Sequence, residues 1–192
     1  MKNMLFIMNP KAGRTTLKNS LVDVLEVFCN NDYAVRTYLT KSADDAERIV
    51  QEEGANYDVI VCAGGDGTLG NTVTGYMKSG IKVPLGYIPC GSTNDFARSM
   101  DIPRETVEAA EMIVKAEPFS IDIGSLNDKN FVYVAAFGMF SDTSYATPQN
   151  MKNIFGHAAY VLQGIKSLAN VPSYKMKVTI DGDEQEGEFI FG

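Results

Sequence analysis

The segment from Val59 to Asn71 reads VIVCAGGDGTLGN. An apolar run stops at paired glycines, and a carboxylate, Asp66, stands between Gly65 and Gly67. A strand apolar on every residue must be covered on both faces, as in a parallel sheet. Glycines at its C-terminal end let the backbone turn sharply into whatever follows. This stretch therefore predicts a buried strand, a tight turn and a helix in succession.

The same alternation runs through the first half of the chain. Met4 to Met8 predicts a strand closed by Asn9-Pro10. Leu17, Leu21, Val24, Leu25 and Phe28 recur at helical spacing after Gly13. Tyr33 to Leu39 predicts a second strand. Ser42 opens a helix as Ser-x-x-Asp, with Ala46, Ile49 and Val50 on its apolar face. Tyr57 to Ala63 is the third strand, followed by a helix from Thr68 to Ser79, and Pro84 to Ile88 is the fourth strand. A short helical turn over Ser92 to Met100 and a helix over Arg104 to Ala116 complete this part. Such an order predicts an α/β fold, an open and mostly parallel sheet with helices on both faces. Right-handed crossovers gather the loops at 9–13, 40–42, 64–67 and 89–93 at one sheet edge, where ligands bind in folds of this kind.

Near Pro118 the pattern changes. FSIDIGSLNDKNFVYVAAFG reads as two strands joined by a turn at Asn127–Asn130, a hairpin. A Ser-, Thr- and Pro-rich loop follows from Ser141 to Gln149. Ile154, Ala158, Val161, Leu162, Ile165 and Leu168 then mark a helix. A second hairpin turns at Asp181-Gly182. The expected division is a first domain over residues 1–118 and an incomplete antiparallel, β-rich second domain over 119–192. The chain stops within a strand at GEFIFG, which leaves a raw edge. The natural protein is therefore expected to continue beyond Gly192, and the open edge leaves homodimerisation available.

Composition excludes several functions. A formal net charge of -7 argues against nucleic acid as a partner and against a polybasic grip on anionic membranes. No apolar stretch approaches the ~18 residues of a membrane span. Cys29, Cys62 and Cys90 are odd in number and far apart, so reduced thiols are expected in place of disulfides or structural zinc. His157 is the only histidine, which makes a histidine triad or a multi-histidine metal site improbable.

Gly65 to Gly70 matches G-x-G-x-x-G, yet the dinucleotide reading fails on three counts. The match follows the third strand and not the first. No acid lies about 20 residues further on for a ribose. Asp66 would also aim negative charge at the pyrophosphate. Gly64, Gly65 and Gly67 instead allow close backbone approach to phosphate oxygens, and the amides opening the next helix add partial positive charge. A carboxylate there suits a magnesium ion or a ribose hydroxyl. The alternative is a tight turn in which Asp66 only favours the helix start.

Two further loops share that edge. In Asn9-Pro10-Lys11-Ala12-Gly13, Asn9 can bond an adenine edge or a neighbouring loop, and Lys11 and Arg14 can reach phosphates. In PCGSTNDFAR, Ser92 and Thr93 can donate to phosphate, and Asn94 and Asp95 can cap the next helix. Phe96 is expected to pack in the core.

With these motifs in order, the chain resembles the diacylglycerol kinase catalytic-domain family, which includes bacterial lipid kinases and sphingosine kinases. It looks most like the soluble Gram-positive members. The matching residues are Asn9-Pro10-x-Ala12-Gly13, Gly64-Gly65-Asp66-Gly67-Thr68 and Gly91-Ser92-Thr93-Asn94-Asp95-Phe96. The likeness continues through Ile121–Gly124, Ala135–Gly138 and Thr143–Pro148. It implies ATP and magnesium as donor and cofactor, and phosphorylation of a lipid hydroxyl, diacylglycerol or a relative, at a membrane surface by a cytoplasmic protein. It implies nucleotide contacts at Asn9, Pro10, Lys11, Ala12, Gly13, Thr40, Gly65, Asp66, Gly67, Thr68, Leu69, Gly70, Asn71, Gly91, Ser92 and Thr93. Asp66 is the expected catalytic residue, acting through magnesium or orienting the donor. The resemblance also implies a cleft between the α/β domain and a β-sandwich domain.

Two positions depart from the family. Gly70-Asn71 stands where Asn-Glu is usual. The family's general base lies in a later Asp-Gly-Glu stretch, so Asp181-Gly182-Asp183 does not inherit that role and the base is expected outside this chain. Metal ligands are not assigned. An NAD kinase shares G-G-D-G-T and remains an alternative, as does a nucleotide-binding module without turnover. Asp122 reads either as a site acid or as a solvent-facing one. Tyr133, Phe137, Phe140 and Tyr145 can line a lipid groove or fill a sandwich core, the core being expected for most of them, and Cys62 and Cys90 are expected as inert thiols.

Overall fold

Alternate residues of the first strand serve two different apolar layers, and this divides the molecule around its sheet. A computed structural model describes residues 1–12, 16–127, 129–136 and 173–192. Strands β1 (Lys2–Met8), β2 (Tyr33–Leu39), β3 (Val59–Gly64) and β4 (Leu85–Pro89) form one parallel sheet in the order β2-β1-β3-β4. Met4, Phe6 and Met8 face one side, with Val61, Ala63 and Ile88. There they meet Leu17, Val24 and Phe28 of helix α1 (Thr16–Asn30) and Ala109 and Ala110 of helix α5 (Thr106–Lys115). Leu5, Ile7 and Ile60 face the other side, against Ala46, Ile49 and Val50 of helix α2 (Asp45–Glu53). Helix α3 (Asp66–Ser79) lies on that side too and places Leu69 and Val73 beside Cys62 and Tyr87. Every residue of β3 is buried, as an apolar-throughout strand requires. The expected α/β arrangement with helices on both faces is the observed one.

Element boundaries depart from the sequence reading where side chains compete for the backbone. Helix α2 starts at Asp45 and not at Ser42, because the Asp45 carboxylate reaches back to the amides of Lys41 (2.6 Å) and Ser42 (3.1 Å). Those bonds fold residues 41–44 into a loop and hold the Asp45 carboxyl below the usual aspartate range. Helix α4 is confined to Asp95–Ser99, since Asn94 before it is left-handed (φ 54°). In the third strand the run begins at Val59, after a single 3-10 turn over Gly54–Asn56.

Two compact units divide between Val134 and Ala135. The first hairpin, β5 (Gly124–Leu126) and β6 (Lys129–Phe131), belongs to the first unit. Ile123 and Val132 pack against the cluster around Leu69 and Tyr87. Asp122 lies exposed, outside any strand. Tyr133 is 54% exposed, so the core position expected for it is not the one it takes. In the second unit, β7 (Tyr174–Ile180) and β8 (Asp183–Phe189) form the expected hairpin. Its turn has Asp181 and Gly182 both at positive φ, as a two-residue hairpin turn requires. The loop at 141–149, the helix at 154–168 with His157, and Phe137, Phe140 and Tyr145 lie outside the described residues.

The α2–α3 packing hinges on a close approach at Gly75. A Cβ there would stand 2.4 Å from the Glu47 carbonyl oxygen and 2.9 Å from Glu47 Cα. Main-chain atoms cannot yield as a flexible side chain would, so Gly75→Ala forces the helices apart. We expect a loss of about 1–3 kcal/mol in urea unfolding, the usual effect of overpacking, despite alanine's better helix propensity.

Candidate functional site

Chain order and spatial order disagree between β1 and β3, where the connections leave in opposite directions. At such a switch point the loops diverge and open a crevice beyond the strand ends. The Asn9–Ala12 loop leaves β1 on one side of it, and the Gly64–Gly67 turn leaves β3 on the other.

Asn9 joins the two sides. Its backbone N–H donates to Ala63 O at 3.0 Å. Its side-chain Nδ2 donates to Thr68 Oγ1 at 3.0 Å, and Oδ1 accepts from Lys11 N at 2.9 Å. Of the two roles open to Asn9 in the sequence, its side chain here takes the loop contact. Lys11 is exposed, and Ala12 closes the turn by donating from its N–H to Asn9 O at 3.1 Å. Pro10 is half-buried. Gly13 and Arg14 lie outside the described residues.

The β3–α3 turn presents main chain. Gly65 is the extended residue before α3, and its carbonyl accepts from Thr68 N (2.9 Å) and Leu69 N (3.1 Å). Among the described residues, the N–H groups of Gly65, Asp66 and Gly67 have no partner. These are the orphan donors of a helix start, carrying the positive end of its dipole. A Cβ at Gly67 would meet no described atom within 4 Å. At Gly64 a Cβ would stand 2.6 Å from Thr68 Oγ1, so glycine is needed there for packing. Leu69 buries its side chain in the core and offers only backbone. Gly70 faces open space. Asn71 donates from Nδ2 to Ala43 O at 2.7 Å and ties the 40–44 segment to α3. Thr40 is buried, and its N–H donates to Met8 O at 2.9 Å.

A second glycine loop closes the far side. A Cβ on Gly91 would lie 2.6 Å from Gly65 Cα, and one on Gly65 would lie 3.2 Å from Gly91 Cα, so the two loops touch backbone to backbone. Asn94 does not cap α4 with its side chain. It grips Gly91 twice, accepting from Gly91 N at Oδ1 (2.7 Å) and donating from Nδ2 to Gly91 O (2.9 Å). That ring fixes the loop and leaves Ser92 and Thr93 exposed at its tip. The tolerance of asparagine for left-handed backbone was the available signal.

Asp66 stands half-buried in the first turn of α3, with Oδ1 accepting a long 3.4 Å bond from Phe96 N. No three acidic, histidine or cysteine side chains gather into a metal site among the described residues. One carboxylate beside free amides fits magnesium arriving with phosphates, since that ion keeps most of its water and takes one or two carboxylates plus phosphate oxygens. Tyr87, which the sequence reading passed over, sits behind the turn. Its hydroxyl donates to Gly64 O at 3.1 Å. Burial, and then the nearby Asp66 charge, push its ionisation well above the ordinary tyrosine value, so it stays a neutral donor. A tyrosine in an otherwise apolar strand was the signal, because a buried hydroxyl needs a partner.

The diacylglycerol kinase catalytic domain family matches residues 3–126. The diacylglycerol kinase of Staphylococcus aureus (strain JH9) is 35% identical over 193 residues, spanning 98% of this chain and 60% of that protein. A diacylglycerol kinase structure from Bacillus anthracis str. Sterne superposes with a TM-score of 0.76 at 27% identity, covering 99% of this chain and 62% of its own. Another from the same organism, provisionally assigned to the same activity, gives 0.80 at 29% identity, with 99% and 63% covered. The fold is the one seen in diacylglycerol kinase structures, and the chain is a member of the diacylglycerol kinase catalytic-domain family. It spans about 60% of the length of the curated relatives it matches.

Cys62 and Cys90 flank the turn, and burial pushes both thiols up to about 12. At pH 8 the thiolate fraction of each is then on the order of 10⁻⁴. A thiol-reactive disulfide reagent is expected to label the exposed Cys29 alone in the native protein, and all three cysteines in denaturant.

Proposed function

We propose that this chain carries the nucleotide-binding lobe, and part of the second lobe, of an ATP-dependent lipid kinase acting on diacylglycerol or a related lipid alcohol at a membrane surface. Membership of the family supports the kinase chemistry. The observation that carries the nucleotide assignment is the row of amides at Gly65, Asp66 and Gly67, unpartnered among the described residues, at the helix start beside the switch point. Among the described residues, no helix is long and apolar enough to cross a membrane.

In the transfer, the acceptor hydroxyl oxygen forms a bond to the γ-phosphorus as the bond to the β,γ-bridging oxygen breaks. ADP leaves, and the hydroxyl proton passes to a base that we do not place among these residues. Such reactions are accelerated mainly by positioning and charge neutralisation. The amides of residues 65–67 would take phosphate oxygens, and the loop held by Asn94 would bring Ser92 and Thr93 to the same group as donors. Asn9 and Gly91 keep the flanking loops in register with the turn. Asp66 would orient a magnesium ion, which supplies positive charge to the triphosphate when bound.

Asp66→Ala, made in the protein at the full length of its reading frame, is expected to lower transfer of labelled γ-phosphate to diacylglycerol in mixed micelles by roughly 10²–10³-fold. Unchanged turnover would remove Asp66 from the reaction. Phosphorylation of NAD in place of lipid under the same conditions would move the assignment to a nucleotide kinase.

A further inference from the structure

The Tyr87 hydroxyl has no part in the chemistry set out above. Tyr87 is 4% exposed, so that hydroxyl is held within the protein and cannot contact a bound nucleotide. It donates to Gly64 O at 3.1 Å and stands 3.5 Å from Asn94 Oδ1. The same carbonyl accepts from Cys90 N at 2.7 Å. Both donors lie on β4 or its extension, so the Gly64 carbonyl points towards β4.

The peptide between Gly64 and Gly65 is trans and planar, which aims its N–H opposite to its C=O. In the order β1-β3-β4, the direction away from β4 is the direction of β1. The Gly65 N–H therefore faces the switch point, on the side where Asn9 donates to Ala63 O. A peptide flanked by glycine on both sides rotates with little steric resistance. Its orientation must then come from what holds its carbonyl.

We propose that Tyr87 is a positioning residue for the triphosphate site: by fixing the Gly64 carbonyl, its hydroxyl holds the Gly65 N–H towards an incoming phosphate oxygen. The inference rests on the nucleotide reading of this turn. Cys90 N alone would leave the peptide with one restraint in place of two. The aromatic ring has a separate task, packing against Phe96 with centroids 6.2 Å apart and against Leu69 and Val73. Phenylalanine can keep that packing and lose only the hydroxyl.

Calorimetric titration of the wild-type chain and Tyr87→Phe with ATP and with AMP, both in magnesium, separates the roles. The variant is expected to bind ATP about 3- to 10-fold more weakly, the range of one hydrogen bond. Its AMP affinity should be unchanged, because AMP lacks the β- and γ-phosphates. A variant that loses thermal stability but keeps the wild-type ATP-to-AMP affinity ratio overturns the inference and leaves Tyr87 a structural residue. A wild-type chain that binds no ATP overturns the nucleotide reading and this inference with it.

Discussion

Gly65 and Gly91 meet main chain to main chain, and the candidate site depends on that contact. No side chain intervenes, and a Cβ on Gly91 would stand 2.6 Å from Gly65 Cα. Because the two loops touch, the start of α3 and the loop that carries Ser92 and Thr93 lie side by side. The contact is kept from both sides. Asn94 closes its own loop on Gly91, and Tyr87 and Cys90 hold the carbonyl of Gly64. Asn9 fastens the opposite wall to Thr68.

This division of labour accounts for the unusual composition of the turn. In the proposed nucleotide site, the groups offered to phosphate are backbone donors, which carry no side-chain entropy and need no protonation state. Side chains stand one layer behind and orient them. Asp66 is the exception, a charge placed at the positive end of a helix, where a carboxylate is favoured with or without a metal. The buried thiols of Cys62 and Cys90 stay neutral and add no charge to this field.

Much of the fold was legible because strand burial and helix periodicity leave strong marks. β2 falls on Tyr33–Leu39 as read, and the apolar run through β3 predicts its cover on both faces. What escaped was decided by single side chains that bond backbone out of turn. Asp45 bonds the amides of Lys41 and Ser42, which a Ser-x-x-Asp pattern cannot distinguish from an ordinary cap. Asn94 grips Gly91 instead of capping α4, and the difference lies in one left-handed φ angle. For the candidate site, two glycine motifs read from the sequence, at residues 64–67 and at Gly91, come into contact in the fold. The Asn9–Thr68 clasp and the partner of the Tyr87 hydroxyl arise from contacts between distant segments, so the local sequence marks the group that needs a partner but not the partner it finds.

The central claim is that the turn at residues 64–68 receives a triphosphate. Amide-resolved NMR of the isotope-labelled chain, titrated with magnesium and ATP, tests it most directly. The account predicts that the Gly65, Asp66 and Gly67 resonances shift first and furthest, together with those of Ser92 and Thr93, while residues of α1 and α5 stay still. Saturable shifts centred elsewhere in the sheet, with the 65–67 amides unmoved, would contradict it.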